Sequence, residues 1–350
     1  MLNRATSNQA KGLAILAVVL IHLIAVFPGS IYSDFSWSPA VVLVQVILRF
    51  CVPLFIALSG YGLTLKYQSS TKSQQLSNFP WREFLIRRTG KLLPLYLFWT
   101  VVHLVSFRLF PAWRIMPEYP LWQTVLLGLA DYQLYFVPLI FQLYLLFPLL
   151  VTRSRSQLRW LLLGTILVQI VWSVLLTQIT LENISLDWPS WITGDQWQYR
   201  LIINWLGYFM LGIYLTHLNL KQSPRWLPSL LAGLTILGLL WAYLNATTLI
   251  QTTNNVVFAT SFLHPPIIIS VTGLIGLVFL PGQHWVSLLT GPGQRWLASL
   301  GRHSYLIFLS HTFALRLLFC LFLPGPSWEI WGLAMALFVL SGWISLRVLK

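Results

Sequence analysis

Charge is scarce in this chain, and negative charge most of all. Asp and Glu supply eight of 350 residues, and all charged types together only 9%, against 57% hydrophobic. The length would allow two soluble domains, but a chain so poor in charge cannot solvate their surfaces. Cysteine is nearly missing too. Cys51 and Cys320 both lie inside apolar runs, which excludes a disulfide framework and leaves packing as their role. No His/Cys spacing suits a metal ion, and the expectation is no metal. A Gly-x4-Gly-Lys-Ser/Thr loop is absent, which argues against ATP-driven transport by this chain alone. Neither Gly-x-Ser-x-Gly nor His-Glu-x-x-His occurs, and no histidine is followed at five residues by aspartate. There is no internal repeat and no low-complexity tract.

What is present is a series of apolar runs near 20 residues, the length that crosses a bilayer as helix. The fold class is therefore all-α, a polytopic membrane bundle forming one domain over 1–350. Spans are expected near 12–28, 40–65, 92–110, 135–151, 160–178, 200–216, 227–249, 259–280, 304–323 and 329–347. Residues 1–28 resemble a secretory signal, but Pro28-Gly29-Ser30 is not an Ala-x-Ala cleavage site, so an uncleaved first helix is expected. With the N-terminus inside, cytoplasmic segments hold 17 of the 22 Lys and Arg, while six of the eight acids fall outside. The stretch 121–134 is then a re-entrant or interfacial piece, since a full crossing there would put Arg153, Arg155 and Arg159 outside. Ten crossings with both termini cytoplasmic result. The net charge of +14, which in a soluble protein would point to nucleic acid, reads here as positive-inside topology and attraction to anionic headgroups or an anionic substrate. No nucleic acid partner is expected.

Lys11 and His22 are eleven residues apart on the first span, close to three helical turns, so both project from one face. They are separated by about 16 Å along the axis. An imidazole in hydrocarbon is costly unless it faces a polar cavity. His22 is either a satisfied histidine bonded to a neighbouring carbonyl or a general base. Ser304 and His311, seven apart, share a face of a later span. Arg87-Arg88-Thr-Gly-Lys91 opens the third span. It reads either as a positive-inside anchor snorkelling to headgroups or as a phosphate cradle that Lys11 joins. Arg49 and Arg316 are cations within apolar runs. The alternatives are structural pairing with Asp34, Asp131 or Glu329, or contact with an oxyanion or acceptor. Gln142 and Tyr144 either line the same chamber or bond between helices. Pro53 is expected to kink the second span at mid-helix, and Ser59-Gly60-Tyr61-Gly62 to let backbones approach closely. His103, His217, His264, His284 and His303 read as structural or interfacial. The loop tryptophans 188, 191 and 197 suit an interface belt, with sugar stacking as the alternative.

Taken in order, Lys11-x10-His22, the Pro53 helix running to Tyr61, Arg88-x-x-Lys91 before Pro94, the aromatic span Tyr135 to Pro148 and Ser304-Tyr-x-x-Phe-Leu-x-His311 resemble the integral-membrane acyltransferase family 3. Lysine stands at 11 and 91 where that family has arginine, and Phe308 where tyrosine is common. Gln142-x-Tyr144 looks like its exopolysaccharide-biosynthesis subgroup. The resemblance implies transfer of an acyl group, by default acetyl, from cytosolic acyl-CoA to a hydroxyl of a carbohydrate or glycolipid, in the bacterial inner membrane. It implies that Lys11, Arg87, Arg88, Lys91 and Ser304 hold the donor and that His22 and His311, with Arg49, carry the chemistry. Gln142, Tyr144 and Arg316 would meet the acceptor. The alternative function is a polysaccharide export component without acyl transfer, and a further one is an inactive partner in an envelope assembly.

Overall fold

A computed structural model describes residues 3–26, 38–67, 79–114, 116–182, 195–280 and 291–322. Among them there is helix and turn and no strand. Among the described residues, six helical stretches are long and apolar enough to cross a membrane: Arg4–Ile24, Pro39–Tyr67, Trp81–Leu109, Tyr132–Val151, Arg155–Thr180 and Leu227–Thr253. The same residues include three shorter apolar helices, Leu206–Leu215, Pro265–Phe279 and Ser304–Leu318. The span expected at 329–347 lies outside the described residues, as do Asp34, Trp188, Trp191, His284 and Glu329. The side chain of Cys320 does too, while Cys51 is a buried free thiol.

Helix α1 (Arg4–Val26) is central. The second span is two helices, α2 (Pro39–Leu48) and α3 (Cys51–Tyr67), separated by a turn at Arg49-Phe50. The expected mid-helix kink at Pro53 is therefore corrected: the proline sits in the first turn of α3. Its missing N–H is harmless there, because first-turn donors have no partner within the helix. The break falls ahead of it, where a helical Arg49 carbonyl would meet the proline ring. Helix α4 (Trp81–Leu109) is 29 residues long and contains Pro94; it starts well before the expected 92. At about 1.5 Å per residue it spans roughly 43 Å. The stretch 121–134 holds only the seven-residue helix α5 (Leu121–Leu127), a turn at Gly128 and a 3-10 turn, Tyr132–Tyr135. That is too short to cross. Helix α6 (Phe136–Val151) leads to α7 (Arg155–Thr180), which Ser154 starts with a capping box shared with Gln157.

The span expected at 200–216 is shorter than the pattern suggested. After a single turn, α8 (Asp195–Gln198), the chain stays irregular to Asn204, and α9 covers only Leu206–Leu215. Buried Arg200 accounts for this. Its guanidinium donates to the carbonyls of Leu127 (2.7 Å) and Gly128 (3.3 Å), closing the C-terminus of α5. Helices α10 (Leu227–Thr253), α11 (Val256–Ala259) and α12 (Pro265–Phe279) follow, then amphipathic α13 (Gly291–Arg302) and α14 (Ser304–Phe322).

Two close approaches lock the centre. A Cβ at Gly60 would lie 2.5 Å from the Phe209 carbonyl of α9, whereas Gly62 faces open space; only the first glycine performs the expected packing role. On α13, a Cβ at Gly301 would lie 1.7 Å from the Asn8 carbonyl, and one at Gly12 would lie 2.0 Å from that of Leu297. Helix α13 thus runs antiparallel along the start of α1 and brings the start of α14 to the same face of the bundle.

Candidate functional site

The face on which α1, α4 and α14 begin is basic. Arg4, Arg88 and Lys91 all lie within electrostatic reach of Lys11, and Arg88 and Lys66 add to the field around Lys91. Arg88 lies over the rings of Phe84 and Tyr144, its Cζ 5.7 and 5.6 Å from their centroids. Its buried Nε has no hydrogen-bond partner among the described residues. Arg87 points elsewhere, forming an exposed ion pair with Glu83 one turn away. Ser304 is buried at the start of α14, where the neighbouring Tyr305 hydroxyl donates to the Leu92 carbonyl of α4 at 2.7 Å.

From Arg88 a line of polar and aromatic side chains climbs into the bundle. The Tyr144 hydroxyl is 3.1 Å from Ser59 Oγ. One turn earlier on α3, Phe55 meets Phe136 with centroids 6.5 Å apart; Phe136 meets Phe308 at 5.0 Å, and Phe308 meets His311 at 6.0 Å. The line ends at His22, whose ring is 5.0 Å from His311 and 4.8 Å from Tyr132. Ser59, Phe55, Phe136, Tyr132 and His22 all keep some accessible surface. His22 and His311 are brought together, whereas Tyr144 lies at the other end of the line, beside Arg88 and Ser59. Gln142 is not part of the line; it donates to the Arg200 carbonyl at 3.3 Å, the interhelical bond that was the alternative.

The tautomer of His311 follows from its partners. Its Nδ1 lies 3.1 and 2.8 Å from the carbonyls of Ile307 and Phe308. Carbonyls only accept, so Nδ1 carries the proton and Nε2 holds the lone pair. That buried Nε2 has no hydrogen-bond partner among the described residues. A neutral imidazole fixed in this way is set to accept a proton.

Two cations flank the histidines, and both act on His22 through space. Arg49, at the break between α2 and α3, donates to Gln45 Oε1 (3.1 Å) and Thr260 Oγ1 (2.8 Å) and lies 4.8 Å from the Phe262 ring centroid. Arg316 grips Asp131 with both terminal nitrogens, at 2.6 and 2.9 Å. Pairing, one of the two roles foreseen for it, is what occupies this guanidinium.

Sequence reasoning missed the network around that pair. Thr312 Oγ1 donates to Asp131 Oδ2 at 2.9 Å and accepts from Gln133 Nε2 at 2.7 Å. His103 Nδ1 lies 3.4 Å from the same carboxylate oxygen, and its Nε2 is 3.2 Å from the Leu309 carbonyl. His103 reads from the sequence as structural or interfacial, and the network gives it a buried structural place; an ionisable ring in the middle of an apolar helix was the signal that it has polar partners. The network is contiguous with the site: Asp131 precedes Tyr132, and Thr312 follows His311.

The described residues hold no group of three or more His, Cys, Asp or Glu able to bind a metal. No curated protein and no solved structure matches the chain. A family model described as an acyltransferase domain matches residues 5–347, nearly the whole length. That span takes in the basic face, the aromatic line and the histidine pair alike, and the chain belongs to acyltransferase family 3, an integral-membrane acyltransferase.

Proposed function

We propose that this protein is a membrane O-acyltransferase of the bacterial cytoplasmic membrane, with the basic face cytosolic. It moves an acyl group, acetyl by default, from acyl-CoA to a carbohydrate hydroxyl. The observation that carries the reading is the line of side chains from Arg88 through Tyr144 and Ser59, then one turn along α3 to Phe55, Phe136 and Phe308, that leads to His311 and His22. Lys11, Arg88 and Lys91 hold the CoA phosphates, the arginine as a fork with an unused Nε–H and the lysines as point charges. Arg87, engaged with Glu83, contributes general field. Ser304 stands beside the clamp. The pantetheine arm lies along Tyr144, Ser59, Phe55, Phe136 and Phe308.

At the histidines the acceptor hydroxyl oxygen attacks the thioester carbonyl, and the hydroxyl proton passes to an imidazole nitrogen. The lone pair on His311 Nε2 is ready for it; His22, 5.0 Å away, is the partner ring that orients the hydroxyl or shares the proton. The carbonyl oxygen becomes an oxyanion, and the fixed positive charge of Arg49 stabilises it without reorganisation. The C–S bond then breaks, and the proton returns from imidazole to the departing CoA thiolate. Arg316 acts one step back, through Asp131, by holding α14 against the 3-10 turn that carries Tyr132.

The test is acyl transfer from labelled acetyl-CoA in membranes. Wild type transfers label to envelope glycan and His22→Ala does not. Equal label from both removes the histidine from the chemistry.

A further inference from the structure

We propose that a cavity at the end of the bundle opposite the CoA clamp is an acceptor subsite selective for anionic saccharides. The inference deepens the proposed function and rests on its topology. On that topology, five of the 22 basic residues fall in mid-bundle or on the external side, where the positive-inside tendency does not explain them: Arg49, Arg108, Arg114, Arg200 and Arg316. Three have bonds inside the bundle, Arg49 to Gln45 and Thr260 beside the histidines, Arg200 to the end of α5, and Arg316 to Asp131. The other two, Arg108 and Arg114, line one cavity of about 460 Å³ between the end of α4 and the segment leading into α5.

The chemistry of this cavity is that of a site for a charged sugar. Tyr119 supplies a half-buried aromatic ring, and buried Phe107 and Thr124 form part of the wall, the Thr124 hydroxyl donating to the Tyr119 carbonyl. Arg108 is exposed, in the last turn of α4, and forms no ion pair among the described residues. Arg114 pairs with Glu118, but that carboxylate is 69% exposed, so solvent weakens the pair and leaves the guanidinium open to a ligand anion. Two guanidiniums approach the Phe107 ring, with Arg316 Cζ 4.9 Å and Arg114 Cζ 6.0 Å from its centroid. The field in the cavity is positive, and a carboxylate matches the arginine fork. The site also adjoins the reaction. Leu129 and Ala130 form part of its wall, and the next two residues are Asp131 and Tyr132, whose ring faces His22. A saccharide held here by its acid group has a short way to go to present a hydroxyl to the histidines.

The test uses the purified full chain in phosphatidylcholine nanodiscs and two probes differing by one carboxylate, cellobiouronic acid and cellobiose. Calorimetry on the wild-type chain is expected to show at least tenfold tighter binding of the acid, the scale of one charge-assisted hydrogen bond, weakening as salt is raised. Arg108→Gln and Arg114→Gln each lose most of that preference, and Arg108→Lys retains it. Equal binding of the two sugars by wild type overturns the proposal, as does a preference untouched by both glutamine variants or abolished by adding phosphatidylglycerol, which would assign the cavity to lipid headgroups. Because the readout is binding, it is independent of acyl transfer. Failure of the His22→Ala test with the sugar preference intact refutes the function alone, and the converse refutes this subsite alone.

Discussion

Asp131 is where the architecture is most exposed to a single change. Its carboxylate accepts two bonds from Arg316 and one from Thr312, at 2.6, 2.9 and 2.9 Å, and the side chains of the ion pair are only 5% and 1% accessible. Asp131→Asn keeps the shape and removes the charge, stranding a guanidinium in the bundle. Breaking a buried pair from one side costs about 3–5 kcal/mol, and the remaining amide oxygen places the expected loss near the lower end. Against a typical total of about 5–15 kcal/mol that is a large fraction. Arg316→Leu strands the carboxylate instead and costs a similar amount. The double variant Asp131→Asn/Arg316→Leu strands neither charge, so its cost falls well below the sum, with a coupling of at least about 2 kcal/mol. Unfolding in mixed micelles titrated with SDS, followed by circular dichroism, measures all three. Single variants each costing less than about 1 kcal/mol, or a double variant equal to their sum, would refute the claim that this pair is buried and interdependent.

Other consequences follow from the same geometry. Arg88→Ala is expected to raise KM for acyl-CoA about tenfold with kcat little changed, since a phosphate contact is held equally in ground and transition states, whereas Arg87→Ala, which only frees Glu83, leaves both constants near wild type in membrane assays. His311→Gln removes the lone pair on Nε2 while retaining a side chain able to donate to the Ile307 and Phe308 carbonyls, and acyl transfer falls by at least about a hundredfold with folded yield unchanged. Gly301→Val drives a side chain into the Asn8 carbonyl; detergent extraction followed by gel filtration should return little monodisperse protein, whereas Gly62→Ala, which meets open space, should return normal amounts.

How much of this was readable beforehand depends on whether a contact is local. The spacings Lys11 to His22 and Ser304 to His311 are properties of single helices, and helical periodicity alone set each pair on one face. That 121–134 does not make a full crossing was readable because the arginines after α6 constrain it from outside. Of the Asp131 network only the pairing of Arg316 with an acid was among the sequence alternatives; the parts played by His103, Gln133 and Thr312 were not readable, because the partners lie on segments near 103, 131 and 312 and pair only once α4, the 3-10 turn and α14 are packed. The break at Arg49 went unseen for a related reason: Pro53 marks a disturbance, but only packing decides whether it bends a helix or starts a new one. The irregular backbone at 199–204 could not be read from apolar periodicity, since it depends on Arg200 reaching the distant end of α5.

The central claim is that the donor enters from the basic face and runs along the wall that leads to the histidine pair. Ser59 stands on that wall, beside Tyr144 and below Phe55, and Ser59→Cys changes one atom. With Cys51 and Cys320 replaced by serine, a water-soluble methanethiosulfonate reagent applied to the cytosolic face should label Cys at position 59, and CoA should protect it in proportion to its occupancy of the Arg88 clamp. A thiol at 59 that is labelled at the same rate with and without CoA, or that stays unlabelled from that face, would contradict the account.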